Sequence, residues 1–586
     1  MKLNRRNFLK STGGAMAAGA LPLTATQAEA ATFAVTPPTR STLASPVSEL
    51  KPAWEVVVIG SGYGGAIMAA RLAEHFDLAV LERGREWQPG QFPDTFNGVL
   101  GELKSNHHPL GLYDYIPGAD MDVLVGSGLG GTSLINANVL IEPEADYFED
   151  PAWPEPIRQD QQSGLLAAYR QQVLSVFNAE TVSENQGLLK TRHLQTTTQR
   201  LQQQGMAAEA ARVKLAVNLE SFDNQANHHG VTQRRCSQCG DCVTGCNVGA
   251  KSTLDTNYLP MAKSRGAKIF TQTRVDTLER TADGQYRIKG QILGNDGSSQ
   301  TFNLSAQYVI VAAGSLGSTG LLLCSRYQTG LGISSLLGQC FSGNADILAA
   351  NYNQKVKTNV LGFGNHNPLA EGYQAGPTIT VAARHTHGDN SRFLVEDAAI
   401  PRALVDAARY AAALDAPQLS VPKFRRILRD LGGTSPQGAA NHSMIYLGMG
   451  KDQAIGRIQL DSNNNPKVVW PGATNDPGVN VVRQAMQQHT AAFDGSLIQN
   501  PRSQWFGGNN LITVHPLGGC KIGTDCETGV VNHKGQVFDP TLPAAVHDGL
   551  YVCDGAILPG AVGVNPMLTI SVLAERIADH FIADHS

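Results

Sequence analysis

Trp54-Glu55-Val56-Val57-Val58-Ile59, followed at once by Gly60-Ser61-Gly62-Tyr63-Gly64-Gly65, is the stretch that decides the fold. A short β-branched apolar run bounded by glycine reads as a buried parallel strand. The next residues, AIMAARLAEH (66–75), set alanine and leucine at helical spacing, and LAVLERG (78–84) is a second strand ending near Glu82. In this strand–turn–helix–strand context each glycine has a physical task. Gly60 makes the turn, Gly62 lets backbone approach a pyrophosphate, and Gly65, with Gly64 beside it, lets the helix pack on the strand. The helix N-terminus then faces the phosphates with its partial positive charge. Glu82 follows the glycines by about 20 residues, where a carboxylate meets ribose hydroxyls and disfavours a 2′-phosphate. The other reading of the motif is a glycine-rich turn with no ligand.

This unit binds a dinucleotide without separating NAD from FAD. A second glycine cluster, VGSGLGGTSLINANVLI (125–141), sets Gly126 and Gly131 beside Ser133, Asn136 and Asn138. Such a loop exposes backbone N–H groups to a flat ring. Two C-terminal segments carry more: LITVHPLGGCKIG (511–523) with His515, and GLYVCDGAILPGAVGVNPMLTISVLAERIADHF (549–581) with Asp554-Gly555 and Asn565-Pro566. Together with the central YVIVAAGSLGSTGLLL (308–323), these segments resemble the glucose–methanol–choline oxidoreductase family, in its cholesterol-oxidase-like branch.

The resemblance spans nearly the whole mature chain and implies an α/β fold. A Rossmann-type FAD-binding domain would be formed by residues 54–149, 231–343 and 500–586. An inserted α+β substrate domain with an antiparallel sheet would take 150–230 and 344–499. It implies FAD as cofactor, with Val275 and Pro566 joining the glycine, Glu82, Ser133, Asn136, Asn138 and Asp554-Gly555 positions around it. It implies an alcohol oxidation in which hydride passes to flavin N5. His515 would manage the hydroxyl proton, and Asn565 would donate its amide to the developing carbonyl oxygen or to the reduced flavin edge. The segment FLVEDAAIPRA (393–403) resembles the stretch supplying a base over a steroid ring, so Glu396 is either that base or a surface glutamate in a loop. The substrate is then a small-molecule alcohol or sterol, and the acceptor O2 or an external partner. A flavin-binding protein without alcohol turnover is the reading from another class.

Cys236, Cys239, Cys242 and Cys246 in RRCSQCGDCVTGCNVGAK (234–251) have the spacing of an iron–sulfur run, with Asn247 where proline is usual. Three readings stay open. A cluster could pass electrons from FAD to a protein or quinone acceptor, making an alcohol or sugar dehydrogenase. Disulfides or free thiols are the second reading, and zinc the third.

The N-terminus is an address. MKLNRRNFLK, a Gly/Ala-rich stretch and Ala28-Glu29-Ala30 make residues 1–30 a twin-arginine-type signal, with a linker over 31–53. The protein is therefore expected to be periplasmic or secreted. No other stretch reaches the roughly 18 apolar residues of a membrane span, so the mature chain has no integral membrane segment. At 586 residues the chain is long enough for two cores, and its net charge of −4 without a basic stripe excludes a nucleic-acid partner. Gln-rich stretches such as QDQQSGLLAAYRQQVL (159–174) read as helical cover. The runs TITVAA (378–383), SMIYLGMG (443–450) and RIQLD (457–461) read as antiparallel strands, and His107, His108, His385 and His387 as exposed or structural.

Overall fold

The computed structural model describes residues 34–387, 391–415, 420–499 and 510–586. The signal segment 1–30, the start of the linker and the boundary at 500 lie outside the described residues.

The strand Ala53–Ile59 lies at the centre of an eight-stranded sheet. On one side it pairs in parallel with Leu78–Leu81, which pairs with Lys268–Phe270. On the other it pairs in parallel with the end of the long strand Ser299–Val311, which pairs in parallel with Val546–Val552. The first half of Ser299–Val311 instead joins an antiparallel meander with Tyr286–Leu293 and Thr273–Arg280. The central strands are buried on both faces, which is why they read as unbroken Val/Ile/Leu runs. The glycine turn works as steric geometry demands. Gly60 has φ +97°, and an added Cβ would sit 2.4 Å from the Ala312 carbonyl oxygen. A Cβ on Gly65 would meet the Gly60 carbonyl oxygen at 2.0 Å, so the helix Tyr63–Leu72 packs against its own turn.

A six-stranded antiparallel sheet, ordered Ser496–Gln499, Ile347–Tyr352, Met444–Gly450, Arg392–Ala398, Val381–Thr386 and Ala207–Arg212, forms the second core. One of its faces is covered by the helices Leu189–Gln203 and Pro477–Ala491. Fold class is thus α/β with a Rossmann-type parallel sheet and an α+β antiparallel unit. Among the described residues no helix is long and apolar enough to cross a membrane.

Under these covering helices three histidines are buried together. His385 Nε2 and His489 Nε2 share a hydrogen bond of 3.1 Å, and His193 Nε2 meets Gln354 Oε1 at 2.9 Å. His385 also stacks on Phe393 with centroids 4.8 Å apart. Burial lowers His193 and His385 to about 4 and His489 well below its ordinary value. An unfolded histidine takes up its proton near 6.5 and the folded ones do not until about 4. Stability is therefore lost as pH falls through that window, by up to about 1.4 kcal/mol per pH unit per histidine. Buried carboxyls raised by desolvation, Asp241 to about 7 and Asp452 to about 6, act in the opposite direction. The clean measurement is hence a difference. Between pH 6.5 and 5, denaturant unfolding of the parent should lose stability relative to His385→Phe with a slope of about one proton. Parallel pH profiles would show that His385 is not held neutral.

Candidate active site

The glycine turn opens onto a single large cavity of about 1510 Å³ that also reaches the antiparallel sheet. That is larger than the roughly 300–1,000 Å³ of an ordinary small-ligand pocket. Of the positions singled out from sequence, Gly60, Gly62, Gly64, Glu82, Gly126, Gly131, Asn136, Asn138, Val275, His515, Asp554, Gly555, Asn565 and Pro566 line it. Gly65, Ser133 and Glu396 do not. Gly65 packs the helix. Ser133 Oγ donates to the Gly130 carbonyl at 2.6 Å and accepts from Leu254 N, so it pins the second glycine loop from behind.

At the nucleotide end, a Cβ on Gly62 or Gly314 would meet nothing within 4 Å, because both face the cavity. Gly62 caps the helix Tyr63–Leu72 without any side-chain hydrogen bond, which leaves the first-turn donors open to the cavity. Glu82 Oε2 accepts from Ser61 N and Oγ at 3.0 and 2.6 Å, and Oε1 accepts from Gly84 N at 2.7 Å. Asp554, its carboxyl raised by burial, accepts from Gly314 N (2.8 Å) and Ser318 Oγ (2.5 Å). It thereby ties the C-terminal turn to the turn after Ser299–Val311. Further along, Asn136 Oδ1, Asn138 Nδ2 and Asn565 Oδ1 are buried with no hydrogen-bond partner among the described residues. Buried polar atoms are normally paired, so these orphans await a polar ligand edge. Open glycine faces at one end and unpaired amide atoms at the other fit an extended dinucleotide with a polar ring.

His515 and the segment leading to Asn565 both hang on one turn that sequence reading missed, Ser342–Asp346. His515 Nδ1 lies 2.9 Å from Asp346 Oδ1, whose side chain is wholly buried. Asp346 Oδ2 accepts from Thr513 Oγ1 and Val514 N, each at 2.9 Å. A carboxylate holding Nδ1–H leaves Nε2 of His515 with its lone pair. Asn344 grips the other segment: its Oδ1 accepts from Val562 N and Gly563 N, and its Nδ2 donates to the Val564 carbonyl at 3.0 Å. Asn565 follows directly. Its Nδ2 donates to Glu396 Oε2 at 3.3 Å and keeps a second hydrogen.

Glu396 corrects the sequence expectation. It is neither in a loop nor at the surface: it lies on the strand Arg392–Ala398, fully buried, one side chain behind Asn565. Burial pushes its carboxyl well above the usual carboxylate range against the pull of the Asn565 amide, and the Asp397 and Asp346 carboxylates push the same way as burial, which favours the neutral form. The next residue, Asp397, pairs with buried Lys190 at 2.6 Å.

The four-cysteine loop is corrected too. Among the described residues no group of three or more His, Cys, Asp or Glu side chains is placed to hold a metal ion, and all nine cysteines are free. The space the four thiols line is about 10 Å³, room for about one ordered water. Cys236 and Cys246 accept from Gln238 N and Ala250 N, and burial keeps the thiols of Cys236, Cys239 and Cys242 protonated. As placed, the four side chains form neither a metal-ion group nor a disulfide, which leaves the free-thiol part of the second reading. The loop acts as a strut. Buried Lys251 donates to the carbonyls of Cys242 (3.0 Å), Leu134 (3.0 Å) and Asn136 (2.9 Å), joining it to the second glycine loop.

A parallel sheet whose glycine turn shares a cavity with a carboxylate-held histidine suits a dinucleotide-dependent oxidoreductase. The chain belongs to the GMC oxidoreductase family: residues 31–342 and 452–574 match it. Members bind FAD and act on alcohols. The chain is 27% identical to a cholesterol oxidase of Mycobacterium tuberculosis over 90% of this chain and 91% of that one. A cholesterol oxidase of Acinetobacter baumannii is 25% identical over 91% and 95%, and a long-chain-alcohol oxidase of Arabidopsis thaliana 23% over 90% and 67%. Pyridoxine 4-oxidase from Mesorbium loti has the same fold, with a TM-score of 0.55 at 15% identity, over 91% of this chain and 100% of that one. Residues 2–22 match a twin-arginine translocation signal, so the protein is exported by that route.

Replacing Lys251 by Met should cost roughly 2–4 kcal/mol, because it leaves three buried carbonyls unpaired. Denaturant unfolding checks this, and an unchanged midpoint would remove the strut. Asp346→Ala should lower kcat by about 100-fold and move its pH profile, leaving KM within about 3-fold. A loss carried by KM alone would contradict a positioning residue for His515.

Proposed function

We propose that the protein is an FAD-dependent oxidase of lipophilic alcohols, with 3-hydroxysteroids as its foremost substrate class and O2 as acceptor. The observation that carries this reading is the apolar arm of the cavity. Leu348, Ala350 and Tyr352 alternate along one strand, and their cross-strand partners Ile445 and Leu447 lie on the same face. A mainly apolar period-2 wall of this kind, with the Tyr352 hydroxyl at its end, suits a flat hydrocarbon body better than a sugar. The names of the relatives, cholesterol oxidase and long-chain-alcohol oxidase, support the same class.

In this reading residues 54–149, 231–343 and 500–586 hold the cofactor, and 150–230 and 344–499 the substrate. Gly60, Gly62 and the helix they precede take the pyrophosphate. Glu82 takes a ribose, for Oε1, with Gly84 N as its one donor, keeps a lone pair. Val275 sits at the nucleotide end, while Gly126, Gly131, Asn136, Asn138, Asp554, Gly555 and Pro566 surround the ring. FAD, when bound, supplies the hydride acceptor at N5. His515 Nε2 accepts the substrate hydroxyl proton, and Asp346 stabilises the imidazolium that results. Asn565 offers its second Nδ2 hydrogen to the oxygen as it gains carbonyl character. Protonated Glu396 fixes the Asn565 amide from behind, and so acts as a positioning residue and not as a base in the oxidation.

Anaerobic bleaching of the flavin by sterols, long-chain alcohols and sugars tests the reading. Sterols should bleach fastest, and bleaching by sugars alone would overturn it. Asn565→Leu should slow flavin reduction by about 10²–10³-fold while weakening substrate binding far less. Equal reduction rates in stopped flow would remove that role from Asn565.

A further inference from the structure

The helix Val421–Leu431, VPKFRRILRDL, forms the outer cover of the apolar arm. Its inward residue Ile427 packs with Tyr352 and Ile498, both of which line the cavity. Its opposite face is unusual for a protein surface. Val421 and Leu428 are each 45% exposed, and Pro422, Arg425 and Arg429 are exposed with them. These positions recur at helical spacing, so apolar and cationic side chains share one outward stripe. The helix carries four basic residues and one acid in a chain whose net charge is −4. That acid, Asp430, is turned inward and accepts from Ala440 N at 2.7 Å. Lys423 and Arg426 bend inward, to the Asp494 carbonyl and to Asn353, which leaves Arg425 and Arg429 outside. The loop that Arg426 holds adds Val356, 40% exposed, with Lys355 and Lys357 next to it. Among the described residues, the acids bordering the face are Asp494, opposite Lys355 and Lys423, and Asp406, paired with Arg409.

We propose that this outward face of Val421–Leu431 docks on an anionic lipid bilayer, seating the apolar arm of the cavity at the membrane surface. A helix of 11 residues cannot span a bilayer, but a stripe of mixed cationic and aliphatic side chains suits its interface. Cations meet lipid phosphates while Val421 and Leu428 enter the acyl boundary. Export through the twin-arginine route places the enzyme outside the cytoplasm, where such surfaces face it. The benefit to catalysis rests on the lipophilic-alcohol reading, since a sterol is stored in membranes and scarcely dissolves in water. Binding itself does not depend on that reading.

Flotation of the FAD-loaded enzyme with phosphatidylglycerol–phosphatidylcholine vesicles, against pure phosphatidylcholine vesicles, tests the docking face. The parent should float with the anionic vesicles and be released by salt. The double variants Arg425→Glu/Arg429→Glu and Val421→Ser/Leu428→Ser should each lose about 10-fold or more of the bound fraction. Both should keep parental activity on detergent-solubilised alcohol, which shows that they fold. A parent that fails to float, or variants that float as it does, would overturn the proposal. So would sedimentation showing a dimer that Val421→Ser/Leu428→Ser dissociates, since the face would then belong to a second copy. Flotation needs no turnover, so a failed substrate panel and a failed docking face give separate results.

Discussion

The side chains of His515 and Asn565 are both positioned through a five-residue turn, Ser342–Asp346. Asn344 and Ala345 adopt φ of +57° and +49° there, a conformation that L residues enter only when surroundings hold them in it. Asp452 does the holding: its Oδ2 accepts from Gly343 N at 2.9 Å and Ala345 N at 3.1 Å. From that strained turn Asp346 reaches His515 and Asn344 reaches the segment leading to Asn565. His515 and Asn565 stand fifty residues apart in the chain, and their mutual position is set through a third segment that carries no reactive group itself.

The charges around this turn are sorted by environment. Asp346 is buried and takes donors on both oxygens, from His515 Nδ1, Thr513 Oγ1 and Val514 N. Glu396, buried with a single 3.3 Å donor and an unpaired Oε1, keeps its proton. One carboxyl therefore polarises a histidine and another behaves as a neutral hydrogen-bonding group, within the same site. Lys251 plays the corresponding part for the second glycine loop, with three carbonyls in place of a counter-ion. Desolvation brings it to about 8, low enough to make the lysine sensitive to any loss of those partners.

The glycine-rich turn, the parallel strands and the C-terminal His and Asn segments were legible because each is a local pattern with a local cause. Gly60 is needed where φ is positive, and the Val/Ile runs are needed where both sheet faces are covered. The cysteine loop misled for the complementary reason. Spacing states how far apart thiols are along the chain, whereas ligation depends on where they point, and here two accept backbone N–H groups and the space between them is closed. Asp346, Asn344 and Lys251 left no sequence signal, since a buried polar residue in an otherwise ordinary segment looks like any other.

What the sequence determined by itself was the class of fold, the cofactor family and the export address, all of which are written in contiguous residues. What only the tertiary structure decided was which groups meet. Glu396 came to lie behind Asn565, the four cysteines became a strut, and an amphipathic helix covered the apolar arm with its cationic side outward. Those outcomes follow from contacts between residues distant in the chain, where burial and hydrogen-bond geometry, and not residue type, set protonation and role.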